Sequence, residues 1–311
     1  MTQIYVSGSL AYDRIMNFPG KFSDHILPDK IHILNVCFLV DGLTENFGGT
    51  AGNIAFSLSL LGESPLILAA AGKDFNRYKE WLLRNDLPMD GIRLIQEEFT
   101  AGAYITTDTT DNQITGFNPG AMKYASKYRF VPANPHKEAV AIVAPGNVDD
   151  MVYYSREYKM MGVPYIFDPG QQIPVIRRDD ILYLLTGAAL LISNDYELEM
   201  IKKTTGLEKK EILQKCPAII TTLGEKGSVL CTRNEQVHIP AVPPDAVVDP
   251  TGAGDAYRAG IIKGMVMKKS LTESARMGAT CASYAVACYG TQTHRFTQES
   301  FWQRYRNQFG N

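Results

Sequence analysis

The stretch Asp249-Pro-Thr-Gly-Ala-Gly-Asp255-Ala-Tyr-Arg-Ala-Gly260 sets a chain break, two glycines and a carboxylate at the head of a helical pattern. Pro250 ends what precedes it, and Gly252 and Gly254 remove side chains from the point where the helix begins. Bare N–H groups at a helix N-terminus, backed by the helix dipole, form an anion site. Asp255 follows in the first turn, where an acid makes a good cap, and for an isolated G-x-G-D capping is the default role. On the rim of an anion hole, however, a carboxylate repels the ligand unless a group is transferred there. Phosphoryl transfer reconciles the two. Asp255 takes the proton of an attacking hydroxyl, and the backbone of Gly252, Ala253 and Gly254 holds charge on the moving group.

A second glycine cluster, Phe47-Gly48-Gly49-Thr-Ala-Gly-Asn53-Ile-Ala55, lies about two hundred residues earlier and closes with Leu61-Gly62. Gly48 and Gly49 let backbone approach a ligand, and Asn53 offers both a donor and an acceptor. Taken alone this would be a tight turn before a helix. Together, and in this order, the two clusters resemble the N- and C-terminal signatures of the PfkB (ribokinase-like) family of carbohydrate and nucleoside kinases, and the resemblance runs over essentially the whole chain. Competing motifs are absent: there is no G-x-x-x-x-G-K-[ST], and Tyr257 spoils a full G-x-G-x-x-G.

The resemblance implies ATP as phosphate donor, Mg²⁺, and a monovalent cation such as K⁺ beside the 249–255 loop. It implies that Asn53 and the Gly49 backbone meet the acceptor hydroxyls. Asp13, otherwise an unremarkable loop residue in GSLAYD, matches the position that accepts from two neighbouring sugar hydroxyls. Asn194-Asp-Tyr-Glu197 matches an N-x-x-E element, with Asn194 at the nucleotide and Glu197 holding Mg²⁺ through water. By itself that element reads as a capping box. Thr222, Gly224 and Gly227, in a Gly-containing turn between two strand-like runs, would border the nucleotide.

These groups need a scaffold that brings them together. Apolar runs at 4–7, 66–70, 140–144, 165–167, 190–193 and 219–222 alternate with helical patterns at 53–61, 75–85, 149–161 and 195–204. That rhythm predicts an α/β, doubly wound, mainly parallel sheet flanked by helices, with the ligand site beyond the carboxyl ends of the strands. Two helices, 253–268 and 271–288, precede an aromatic and basic tail without a clear pattern. Residues 101–118 read as two Thr-rich strands around T-T-D-N, and 33–40 as a strand apolar on both faces. We therefore expect one kinase domain, 1–311, with a discontinuous small β-sheet lid from about 12–47 and 97–120. A segment apolar on both sides also predicts a homodimer through that lid.

Composition narrows the partner. Lys plus Arg (31) nearly cancels Asp plus Glu (33), leaving a net charge of -2, and no basic stripe suggests nucleic acid. Cys37, Cys216, Cys231, Cys281 and Cys288 show no C-x-x-C spacing, and the five histidines form no H-E-x-x-H. The N-terminus lacks a signal-peptide core, and the longest nearly apolar run, 181–192, is well short of the ~20 residues of a membrane span. A cytoplasmic enzyme acting on a small molecule, with no membrane or nucleic-acid partner, is the expectation.

The acceptor is read from finer wording. GSLAYDRIM, FGGTAGNIA, ITGFNPGAM (114–122) and DPT look most like prokaryotic nucleoside and adenosine kinases of the family, with Phe47, Phe117 and Met122 available as walls of a purine pocket. A kinase of a free sugar (ribose, fructose or a keto-deoxy sugar acid) is the alternative. So is a catalytically silent nucleotide-binding protein of the same fold.

Overall fold

The computed structural model describes residues 2–33, 35–110, 112–130 and 138–310. In chain order the strands are β1 (Gln3–Ser7), β2 (Ala11–Asn17), β3 (Asp41–Gly48), β4 (Leu66–Gly72), β5 (Ile92–Ile95), β6 (Ala101–Thr107) and β7 (Gln113–Asn118). They continue with β8 (Ala139–Val143), β9 (Tyr165–Phe167), β10 (Leu190–Asn194), β11 (Ala218–Thr222), β12 (Ser228–Thr232) and β13 (Gln236–Ile239). The helices are α1 (Thr50–Leu60), α2 (Asn76–Arg84), α3 (Val148–Met161), α4 (Arg178–Leu185) and α5 (Asp195–Thr205), then α6 (Lys209–Lys215), α7 (Ala253–Val266), α8 (Leu271–Val286) and α9 (Gln298–Phe309).

The main sheet runs β13-β12-β11-β10-β9-β8-β1-β4-β5. It is parallel from β5 to β11, and β12 and β13 extend it antiparallel. Its strands are continuous apolar runs because both faces are covered. On β8, Val140 and Ile142 pack toward Ile54 of α1, Ala259 and Ile262 of α7 and Ala275 of α8. The intervening Ala141 and Val143 pack toward Tyr154 of α3, Ile181 of α4, Leu198 of α5 and Ile212 of α6. A period of two between two helix layers is what a doubly wound sheet requires.

A smaller sheet, β3-β2-β6-β7, stands apart from the main one. Its outer hairpin, β6 and β7, pairs Thr107 with Gln113, and Asp108 closes the turn by accepting from the N–H of Thr110 and Asn112. Asp111 lies outside the described residues.

Two expectations are corrected. Residues 33–40 contain no strand among their described members, Leu34 lying outside them; the strand is β3, which begins at Asp41. Val36, Phe38 and Val40 are half-buried and alternate with exposed Asn35, Cys37 and Leu39. Phe38 packs on Phe18 (4.9 Å between ring centroids) and Phe22 (5.0 Å). The unpatterned tail contains a helix, α9. Thr297 caps it by accepting from the Ser300 N–H, and Phe301 is buried against Cys281 and Met277 of α8. Among the described residues no helix is long and apolar enough to cross a membrane.

Candidate active site

The carboxyl ends of the parallel strands converge with the N-termini of α1 and α7. Thr50 ties three of these segments together. Its Oγ1 donates to the Pro145 carbonyl at 2.7 Å and accepts from the Ser9 N–H at 3.2 Å, while its own N–H donates to Ser9 Oγ. Gly49 sits just before α1 at φ +85°, and a Cβ there would stand 2.6 Å from the Ser9 carbonyl oxygen. No other residue meets both demands.

The two sequence clusters meet here. Asn53 Nδ2, in the second turn of α1, donates to Asp255 Oδ2 at 2.8 Å across 202 residues of chain. At the head of α7, the Ala253 N–H turns back to the Pro250 carbonyl. The N–H groups of Gly254 and Asp255 find no acceptor among the described residues. Of the three expected anion-hole residues, Ala253 therefore has its donor already engaged. Loss of hydration pushes the Asp255 carboxyl up to about 6, against the lowering influence of Arg258 and Asn53, with Asp168 and Asp13 adding to the rise. A carboxylate so poised is ionised at neutral pH yet basic enough to take a proton.

A cavity of about 240 Å³ opens beside it, lined by Asn194, Glu197, Thr222, Gly252, Gly254 and Asp255, with Thr50, Asp168 and Arg258. Asn194 and Glu197 make the capping box of α5. Asn194 Oδ1 accepts from the Glu197 N–H at 2.7 Å, and Glu197 Oε2 accepts from the Asn194 N–H at 2.8 Å. Glu197 Oε1 has no hydrogen-bond partner among the described residues, and burial raises this carboxyl. Capping and facing the cavity are thus compatible. Gly224 and Gly227 do not line it. They sit in the β11–β12 turn at φ +59° and +83°, where a Cβ on Gly227 would lie 2.1 Å from the Ile239 carbonyl oxygen.

Sequence reasoning missed Asp168 and Arg258. Arg258, in the second turn of α7, forms a two-pronged ion pair with Asp168: Nε meets Oδ2, and Nη2 meets Oδ1 at 2.9 Å. Both residues are buried. Arg258 Nη1 also donates to the Gly254 carbonyl at 3.0 Å, and a Cβ on Gly254 would stand 2.9 Å from that nitrogen. The available signals were the D-P-G turn ending a predicted strand and an arginine on the buried face of a helix.

Asp13 lies on β2 outside the cavity, on the Asn53 side. Its Oδ2 accepts from Thr291 Oγ1 at 3.2 Å, and burial raises its carboxyl. Phe47 stacks on Trp81 at 5.3 Å. Phe117 is exposed on β7 and Met122 is half-buried. Together the site offers free helix N–H groups for an anion, a basic carboxylate beside them, and polar groups for a hydroxyl-bearing ligand.

Known proteins resemble this chain over nearly its whole length. The model of the pfkB family of carbohydrate kinases matches residues 23–297. A nucleoside kinase of Methanocaldococcus jannaschii is 30% identical over 306 residues, 98% of this chain and 97% of its own. The crystal structure of the M. jannaschii nucleoside kinase superposes with a TM-score of 0.88 at 29% identity, covering 99% of both chains. A Burkholderia thailandensis nucleoside kinase in complex with inosine superposes with a TM-score of 0.85 at 34% identity, covering 99% of this chain and 98% of its own.

Proposed function

The chain belongs to the pfkB family of carbohydrate kinases and is an ATP-dependent kinase of a sugar or nucleoside hydroxyl; we propose that its acceptor is adenosine, phosphorylated at the 5′-hydroxyl. The observation that best supports this reading is the Asn53–Asp255 contact beside the free N–H groups of α7. Asp255 is the base, and the α7 terminus cradles the transferred group with the free N–H groups of Gly254 and Asp255, Gly252 leaving the approach open and Ala253 keeping its N–H on Pro250. Gly49 and Asn53 hold the acceptor hydroxyls, and Asp13 reads the ribose diol. Asn194 and Thr222, with the turn glycines Gly224 and Gly227, border the nucleotide. A nucleoside is favoured over a free sugar because the M. jannaschii and B. thailandensis relatives are nucleoside kinases, the latter seen with inosine.

The charge in the cavity fits a metal-bound polyphosphate. Asp168, Glu197 and Asp255 face a single guanidinium, Arg258, which Asp168 already engages. Mg²⁺ would neutralise phosphate charge there, with Glu197 holding it through water. A monovalent cation such as K⁺ would sit beside the 249–255 loop. In this reading 1–311 is one kinase domain, and the small sheet, from 12–47 and 97–120, is the lid over the acceptor.

The deciding experiment is a panel of nucleosides and free sugars with ATP and Mg²⁺. Faster turnover of ribose or fructose than of any nucleoside would overturn the acceptor assignment, and nucleoside binding without turnover would favour a silent binding protein. The diol contact makes a sharper prediction. A 2′-deoxynucleoside leaves Asp13 short of one hydrogen bond to a charged group, a loss of about 1.5–3 kcal/mol. Adenosine should therefore exceed deoxyadenosine roughly tenfold to a hundredfold in kcat/KM. Equal values would remove Asp13 from that role.

The lid is also proposed as a dimer surface. Leu27, Ile31, Ile33, Leu39 and Leu43, all within the 12–47 segment, are 62–84% exposed, and large apolar side chains left in water are candidates for burial by a second copy. Light scattering at micromolar concentration should give the mass of two chains, and a monomer there would end the claim.

A further inference from the structure

The base and its amide partner are backed by a chain of hydrogen bonds that the transfer reaction does not itself explain. Trp81 Nε1 donates to Gln292 Oε1 at 2.8 Å. Gln292 Nε2 donates to Asn53 Oδ1 at 3.0 Å and to the Tyr78 hydroxyl at 2.6 Å. Tyr78 in turn donates to the Gly48 carbonyl at 2.7 Å, and Asn53 Nδ2 donates to Asp255 Oδ2.

The direction of this chain follows from what each group can do. An indole N–H only donates, so the amide oxygen of Gln292 must face Trp81 and its NH₂ must face Asn53. The single Tyr78 proton is engaged by Gly48, so that hydroxyl can only accept from Gln292. Both constraints give Gln292 the same orientation. Asn53 must then turn its oxygen to Gln292 and its NH₂ to the carboxylate. Gln292 is buried and does not line the cavity. It holds φ at +59°, a left-handed conformation costly for a residue with a side chain. Its neighbour Thr291 reaches Asp13, so this short segment supports both acceptor-side polar residues.

We infer that Gln292 is a positioning residue for phosphoryl transfer: oriented by the donor-only indole of Trp81, it decides which end of the Asn53 amide meets Asp255. The inference rests on the kinase reading above. Asp255 is thereby held at one oxygen, Oδ2, while Oδ1 has no hydrogen-bond partner among the described residues. The charged groups facing Asp255 are Arg258 on its own helix, Asp168 after β9 and Asp13 on β2. None of them belongs to this chain of amides.

Two uncharged variants test it, Gln292→Met and Trp81→Phe, the second keeping an aromatic ring against Phe47. In each, ¹³C-carboxyl NMR of the free protein should show Asp255 titrating at higher pH, because the amide no longer presents only donors to it. The acid limb of kcat/KM for nucleoside should move the same way. The kcat of Gln292→Met should fall about tenfold to a hundredfold, with the KM for ATP within twofold of the native value. Native titration of Asp255 in both folded variants would overturn the inference, whatever happens to kcat. A native protein that phosphorylates no nucleoside or sugar would instead overturn the kinase reading, and the titration would still decide the role of Gln292.

Discussion

Asp255→Asn should retain ATP and nucleoside binding and lose turnover by roughly 10²–10⁴-fold near neutral pH, the usual contribution of a general base. The amide replaces the carboxylate in shape and still accepts from Asn53 Nδ2, and no cap is lost because Gly252, not Asp255, holds the N-cap of α7. The anion hole is backbone and stays intact, and removing a negative charge from its rim should leave ATP binding unchanged or tighter. The pH profile supplies an independent check. With the carboxyl pushed up to about 6, the native enzyme should lose kcat/KM tenfold per pH unit below that value, where the base is protonated, and the Asn variant should lack this limb.

Stability separates a catalytic from a structural carboxylate. Folding raises this carboxyl from 3.8 to about 6. Its ionisation therefore opposes folding fully above about pH 6, less as pH falls, and not at all below about pH 4. The variant is free of that cost, so its Tm should equal the native value in acid and be no lower at neutral pH. Activity within about threefold of native would defeat the assignment, since a lost base costs far more. A large drop in Tm would return Asp255 to a structural role.

Arg258→Met is expected to have the largest effect on stability. It leaves the Asp168 carboxylate, 1% exposed, without its two-pronged partner. Breaking one side of a buried pair costs about 3–5 kcal/mol, because the remaining charge cannot be hydrated. Urea denaturation should register that loss with an unchanged m value. The double variant Arg258→Met, Asp168→Leu should recover most of it, since an apolar pair of similar volume removes the stranded charge. The site should respond too. Arg258 lowers the Asp255 carboxyl and holds the Gly254 carbonyl, so residual activity should need higher pH. A loss below about 1 kcal/mol would mean that the pair is hydrated in solution.

Much of this protein was legible in its sequence because it is encoded locally. Apolar runs of four to five residues between turn-forming dipeptides mark the strands that become β1, β8, β10 and β11, since a strand covered on both faces needs no polar alternation. The glycines before Asp255, the capping box of Asn194 and Glu197 and the turn at 222–227 are likewise short-range chemistry. Two such clusters, in order, were enough to indicate the reaction and a sheet that must bring them together.

Tertiary structure decided the rest. Arg258 and Asp168 are 90 residues apart, and nothing near either one announces an ion pair. Gln292 reads as an ordinary polar residue in an unpatterned tail until folding sets it between Trp81 and Asn53. The opposite error occurred at 33–40, where apolar residues on both sides suggested a strand buried on both. Hydrophobicity states a preference for leaving water, but the packing partner decides whether it is met. Phe38 found Phe18 and Phe22, whereas Leu39 remains 84% exposed. Local pattern fixes which backbone groups are satisfied within an element. Pairing between distant side chains depends on where the sheet order and helix packing bring them, and no local periodicity carries that information.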